Sequence, residues 1–160
     1  MQVSDWDEIM AINVRAPFVL MRNFALQMIK KGVAGNFVNI SSGAARKMRR
    51  TAVTYCMSKT ALDRMTKGFA LEMAEYGIRA NCLEPGFASG SAVSVLNQEH
   101  IDRVLAAIPL RHEINSEDVA QAALFLASYA AKNITGATLS VDGGNSAGTM
   151  DVYQDKKSAL

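Results

Sequence analysis

Three times along this chain a helix-length segment gives way to a short, mostly apolar run closed by a turn signature, and this alternation constrains the fold more than composition does. The first helical segment is long. Ser4 suits an N-cap with Asp7 three residues on, and Asp5, Asp7 and Glu8 suit the positive end of a helix dipole. Lys30 and Lys31 fall in its last turn, and Gly32 follows as a C-cap. Between these ends Trp6, Met10, Val14, Pro17, Met21, Phe24 and Met28 form an apolar stripe, with a kink expected at Pro17. Phe37, Val38 and Ile40 mark a buried strand over residues 36–41. Residues 43–54 show no period and read as an exposed loop carrying Arg46, Lys47, Arg49 and Arg50.

A second helix is expected over residues 55–76, with Leu62, Phe69 and Met73 on one face and Gly77 as its stop. A strand over 78–83 closes at Pro85-Gly86, and 87–108 reads as loop and short helix. A third helix begins at Asn115 or Ser116, with Glu117 and Asp118 in its first turn and Val119, Ala122, Ala123 and Leu126 facing inward. The last strand, 137–141, ends in Asp142-Gly143-Gly144. Such alternation predicts an α/β fold, a parallel sheet with helices on its faces. The chain opens on a helix, so the strand that would feed the first right-handed crossover is absent.

The 160 residues suit one domain, with residues 1–150 folded and 151–160 a polar tail. A net charge of +2 gives no ground for a nucleic-acid or membrane-surface partner. Cys56 and Cys82 form no disulfide framework, which favours a reducing compartment. The N-terminus is acidic rather than basic and then apolar, unlike a secretory signal. Residues 119–131, an uncharged and Ala-rich stretch, are too short to span a bilayer, so a cytoplasmic location is expected. His100 and His112 lack partners at ligand spacing, so no metal site is expected.

Chemistry enters with Tyr55 and Lys59, one helical turn apart and therefore on one face. A tyrosine hydroxyl ordinarily titrates near about 10, and an ammonium held beside it favours the phenolate, which makes a usable general acid or base. Ser42 stands at the C-terminal end of the first strand, where open parallel sheets place their ligands. Pro85-Gly86 and Gly143-Gly144 end the other strands on the same rim. Ser41 reads as a plain turn residue. Asn13 is a polar residue on an apolar helix face, so its amide needs a partner.

Asn13 within Asn-Val-Arg-Ala-Pro-Phe, Asn39-Ile-Ser-Ser42, Tyr55-Cys-Met-Ser58-Lys59, Asn81-Cys-Leu-Glu-Pro85-Gly86 and Val141-Asp-Gly-Gly144 stand in one order at fitting distances. Over residues 3–144 the chain resembles the short-chain dehydrogenase/reductase family. The resemblance implies a three-layer, Rossmann-like parallel sheet, here incomplete: the C-terminal catalytic half of a doubly wound fold. It implies Tyr55 as general acid/base and Lys59 as the cation that favours the phenolate and holds the nicotinamide ribose. It implies Ser42 as hydrogen-bond partner of the reacting oxygen, and Asn13 as holder of a water in a proton relay to Lys59. Pro85, Gly86 and Ser89 would face the nicotinamide of NAD or NADP. The substrate would be a small alcohol or carbonyl compound.

The sequence holds no Gly-x-Gly-x-x-Gly loop before a helix. Relative to the family about 90 residues of strand–helix units are missing, and the adenosine and phosphate sites with them. The isolated chain is therefore expected to be inactive. The alternative reading is a non-catalytic assembly module, since in the family the helices at residues 4–31 and 55–76 commonly pack against those of a sister chain. The basic loop 46–50 reads as solvated or as attractive to an anionic substrate, and 87–108 resembles the family's substrate lid.

Overall fold

The computed structural model describes residues 2–90 and 96–150. The proposed tail, 151–160, and residues 91–95 of the expected lid lie outside the described residues. Helix α1 spans Val3–Met10, a π turn follows at Ala11–Arg15, and α2 continues over Ala16–Lys31. The N-cap is Gln2, not Ser4: the Gln2 N–H donates to the Asp5 carboxylate at 2.7 Å, which starts the helix two residues early. The irregularity near Pro17 takes the form of a π turn between α1 and α2. The extra residue of the π turn lies ahead of the proline, Ala16 N–H reaches back to Ala11 O, and Pro17 sits in the first turn of α2 where no N–H is required. Gly32 ends α2 in the left-handed conformation, φ 63°, as expected.

Strand β1 covers Gly35–Ile40, β2 Ile78–Pro85 and β3 Thr138–Val141. All pair parallel in the order β1-β2-β3, with Asn39 opposite Cys82 and Pro85 opposite Val141. Helix α3, Val53–Met73, begins two residues before the expected start and tightens into a 3-10 turn at Ala74–Tyr76 before Gly77. Alternate β2 residues face opposite layers. Cys82 Sγ meets Thr66 of α3 at 3.3 Å, whereas Arg79 reaches the carbonyl of Leu126 on α5, Ser116–Ala127, at 2.9 Å. The α/β, three-layer, incomplete arrangement thus matches the expectation.

Met21 and Ala25 of α2, Ala70 and Met73 of α3, and Ile78 and Ala80 of β2 make the core cluster. The small Ala25 and Ala80 let α2 and α3 approach the sheet. Phe24, expected in the buried stripe, falls on the flank and is half exposed. The stretch Val3–Lys31 is long and apolar enough to cross a membrane by length and composition. The sequence expectation weighs only the uncharged stretch 119–131, and Val3–Lys31 escapes that test because charges interrupt an otherwise apolar segment. Asn115 caps α5 reciprocally with Asp118, at 2.9 and 3.0 Å. Helix α4, Gln98–Ala107, starts at Asn97, whose side chain accepts from His100 N–H at 2.8 Å.

The loop expected between residues 43 and 54 is more ordered than its composition suggests. It opens with a 3-10 turn, Gly43–Ala45, in which Ala44 is fully buried. Arg46 spans to buried Glu84 on β2 at 2.9 Å, and Glu84 also accepts from Ser140 on β3 at 3.0 Å. Lys47 donates to Asn145 O at 2.9 Å. A charged side chain inside a strand needs such partners.

Candidate active site

Parallel strands deliver their C-terminal tips to one rim. Ser41 prolongs the β1 ladder, its N–H meeting Leu83 O at 2.8 Å, and turns its hydroxyl into the interior. Ser42 lines a cleft of about 660 Å³ with Tyr55, Pro85 and Gly86. Its Oγ accepts from Ala44 N–H at 3.2 Å, which holds it at the head of the 3-10 turn. Tyr55 stands in the first turn of α3 with its ring partly exposed to the cleft.

Lys59 lies behind that ring, its Nζ 5.8 Å from the centroid and donating to Ile40 O at 2.9 Å. Burial holds this ammonium below its ordinary value, against the pull of Cys82 and Asp63 the other way. The π turn carries Asn13 to the same helix. Asn13 Nδ2 donates to Ser58 Oγ at 3.0 Å, and the Ser58 hydroxyl donates to Tyr55 O at 2.8 Å. The amide is thereby tied to the turn that presents Tyr55 and Lys59. Pro17 has no N–H to give to the Asn13 carbonyl, the partner four residues back in an α-helix.

Ser58 is the residue of this hydrogen-bonded group that sequence reasoning left without a role, inside a quoted motif. The signal is a hydroxyl three residues after Tyr55, where it bonds back to the helix carbonyl. Gly86 is required by packing, because a Cβ there would lie 2.6 Å from Asp142 Cα. Ser89 is not among the residues lining the cleft; its N–H is held by the Glu113 carboxylate at 2.6 Å. Cys82, beneath Lys59, is a buried thiol pushed up to about 12 by desolvation, so it is no nucleophile at neutral pH. Among the described residues no cluster of three or more His, Cys, Asp or Glu side chains could hold a metal.

A hydroxyl, a phenol and a partly desolvated ammonium around one rim suit proton exchange with an alcohol or carbonyl oxygen. Residues 1–146 match the family model described as enoyl-(acyl carrier protein) reductase, and the chain belongs to the short-chain dehydrogenase/reductase family. It is 39% identical over 144 residues to the 3-oxoacyl-(acyl-carrier-protein) reductase of Rickettsia prowazekii, covering 90% of this chain and 59% of that one. It is 34% identical to the (3R)-3-hydroxyacyl-CoA dehydrogenase of Canis lupus familiaris, covering 90% and 56%. An Agrobacterium tumefaciens crystal structure with bound NADP, carrying an unconfirmed name as a 2-deoxy-D-gluconate 3-dehydrogenase, superposes with TM-score 0.87 at 34% identity, covering 92% and 61%. The chain thus spans well under two thirds of the length of these relatives.

Proposed function

We propose that residues 1–150 form the catalytic half of an NAD- or NADP-dependent oxidoreductase acting on a small alcohol/carbonyl pair. One observation carries this reading: Ser42, Tyr55, Pro85 and Gly86 line a single cleft while Lys59 stands behind the Tyr55 ring. The nicotinamide supplies or accepts the hydride when bound. Tyr55 exchanges the proton with the substrate oxygen, and Ser42 hydrogen-bonds that oxygen. Lys59, anchored on Ile40 O behind the Tyr55 ring, presents its ammonium beside the phenol and holds the ribose. Asn13, tied through Ser58, holds the relay water toward Lys59. Pro85 and Gly86 form the nicotinamide wall, and Gly86, with no Cβ against Asp142, leaves that wall flat. Ser89, outside the cleft lining and held by Glu113, would reach the nicotinamide only from beyond that wall.

The adenosine and phosphate contacts would come from sequence that this chain does not contain, so the isolated chain is inactive in this reading. The location is cytoplasmic. A second reading, an assembly module pairing through residues 4–31 and 55–76 with a like chain, is favoured by the exposed Phe18, Leu20 and Phe24 on α2. The test of catalysis uses this chain extended by a cofactor-binding half from a relative. Tyr55→Phe should lower kcat at least ~100-fold, as the loss of a general acid does. Turnover within a few-fold of the parent would remove Tyr55 from the role.

A further inference from the structure

The four basic residues that follow Ser42 do different work. Arg46 is spent on Glu84, and Lys47 on the Asn145 carbonyl. Arg49 instead lines the cleft with Ser42 and Tyr55. Helix α4 presents a helical stripe, His100, Arg103, Val104 and Ala107, to the same space. Among the described residues Arg103 pairs with Glu99, at 2.8 Å between two exposed side chains, a contact weak enough to exchange for a ligand. Among the described lining residues the acidic side chain is Asp142, and both its oxygens are already engaged. They accept from Gly144 N–H at 3.0 Å and Ser146 N–H at 2.8 Å. The charge that the cleft offers a ligand is therefore cationic, from two elements, with the imidazole of His100 as a further donor.

We propose that this cleft selects substrates carrying an oxyanion, gripped between Arg49 and Arg103 while the alcohol or carbonyl oxygen lies at Ser42 and Tyr55. The proposal rests on the oxidoreductase reading for the second contact only. Two guanidinium groups lining one cleft, from the loop after Ser42 and from α4, suit a carboxylate or phosphate, which takes paired N–H donors from each. The oxyanion has two sources: the substrate's own carboxylate, or the phosphates of a carrier to which an acyl group is attached.

The test reads binding to the 160-residue chain by amide chemical shifts and calorimetry, with no turnover needed. The probes are 3-hydroxybutyrate, its neutral methyl ester, coenzyme A and pantetheine. At least one anionic probe should bind ~10-fold more tightly than its neutral counterpart, with shifts at Arg49 and Arg103. Arg49→Ala and Arg103→Ala should each remove most of that preference, and Arg49→Lys should restore part of it. Preference for 3-hydroxybutyrate assigns the oxyanion to the substrate; preference for coenzyme A alone assigns it to a carrier. Equal binding of charged and neutral probes, unchanged affinity in both Ala variants, or no binding by any probe overturns the proposal. The oxidoreductase reading fails separately: an anion that shifts Arg49 and Arg103 but leaves Ser42 and Tyr55 unmoved, with the ester also silent there, refutes the second contact alone.

Discussion

At the strand tips and on the α1–α2 flank, the same three-layer fold is held by opposite means. The tips are tied by charge and hydrogen bonds: Arg46 to Glu84, Glu84 to Ser140, Lys47 to Asn145, Lys59 to Ile40. On the flank Ile12, Phe18, Leu20, Phe24 and Leu26 stand in solvent, and Phe18 meets Phe69 edge-on at 5.7 Å. The rim is finished within this chain, whereas the flank has apolar surface to spare. A site for proton exchange needs fixed groups, and the polar ties supply that fixity locally.

The largest stability effect should come from cutting the rim tie. Arg46→Ala leaves the 1%-exposed Glu84 carboxylate without its cation and should cost about 2 kcal/mol in urea unfolding at neutral pH. The pH dependence follows from the same carboxyl. Burial first of all, with Asp63 facing it, holds Glu84 above its ordinary 4.5 in spite of the bonds from Arg46 and Ser140. The folded state therefore keeps a proton that the unfolded state has released, and stability falls as pH rises from 4.5 through the raised folded value. Glu84→Gln should flatten that slope, and Arg46→Ala should carry it to higher pH. An unchanged slope in Glu84→Gln, measured across pH 4 to 8 (~0.5 unit steps, fine against the ~1 unit spread of carboxyl values), would assign it to another group.

A smaller effect should follow from the turn that leads into α3. Thr51 holds φ 66°, a left-handed conformation that a β-branched residue adopts only under strain, with its hydroxyl donating to Arg50 O at 2.6 Å. Thr51→Gly should relieve the strain at the expense of a more flexible unfolded chain and stabilise by about 0.5–1 kcal/mol. A loss of stability instead would mean that the hydroxyl outweighs the strain.

What could be read from the sequence divides along the same line. Strand tips, the Asn115 cap and the stops at Gly32 and Gly77 were legible, because each depends on residues within a few positions of one another. Ser42, Tyr55, Pro85 and Gly86 were legible as rim residues because strand ends fix the rim. The π turn was not. Its residues carry no local π signal, and what it achieves is tertiary: it sets Asn13 against Ser58, 45 residues away. The Arg46–Glu84 pair was hidden for the same reason, since a Glu in an apolar strand announces that it needs a partner but not which one. Phe24 was misplaced because positions three and four beyond Met21 both fit a helical stripe, and close packing at the sheet chose the smaller Ala25.

The smallest effect on monomer stability should come from the flank, and it sharpens the contrast most. Leu20→Ser with Phe24→Ser alters side chains that are 56% and 50% exposed, so unfolding of the monomer should change by no more than about 0.5 kcal/mol. Association should change far more. The 160-residue chain is expected to sediment as an oligomer, because apolar surface on α2 gains by leaving water and β1 offers a second edge. Among the described strands β1 pairs only with β2, and along that edge Phe37, Val38 and Ile40 present no charge, proline or bulge. Amide hydrogen exchange over residues 36–41 separates the two causes. Successive amides of a strand point to opposite sides, so pairing with β2 alone protects every other one. If the helical flank holds the oligomer, the double variant sediments as monomer and that alternate pattern persists. If the strand edge holds it, the variant stays associated and every amide along β1 is protected. A monodisperse wild-type monomer with the whole strand protected would refute both, because an edge covered within one chain has nothing left to offer a second.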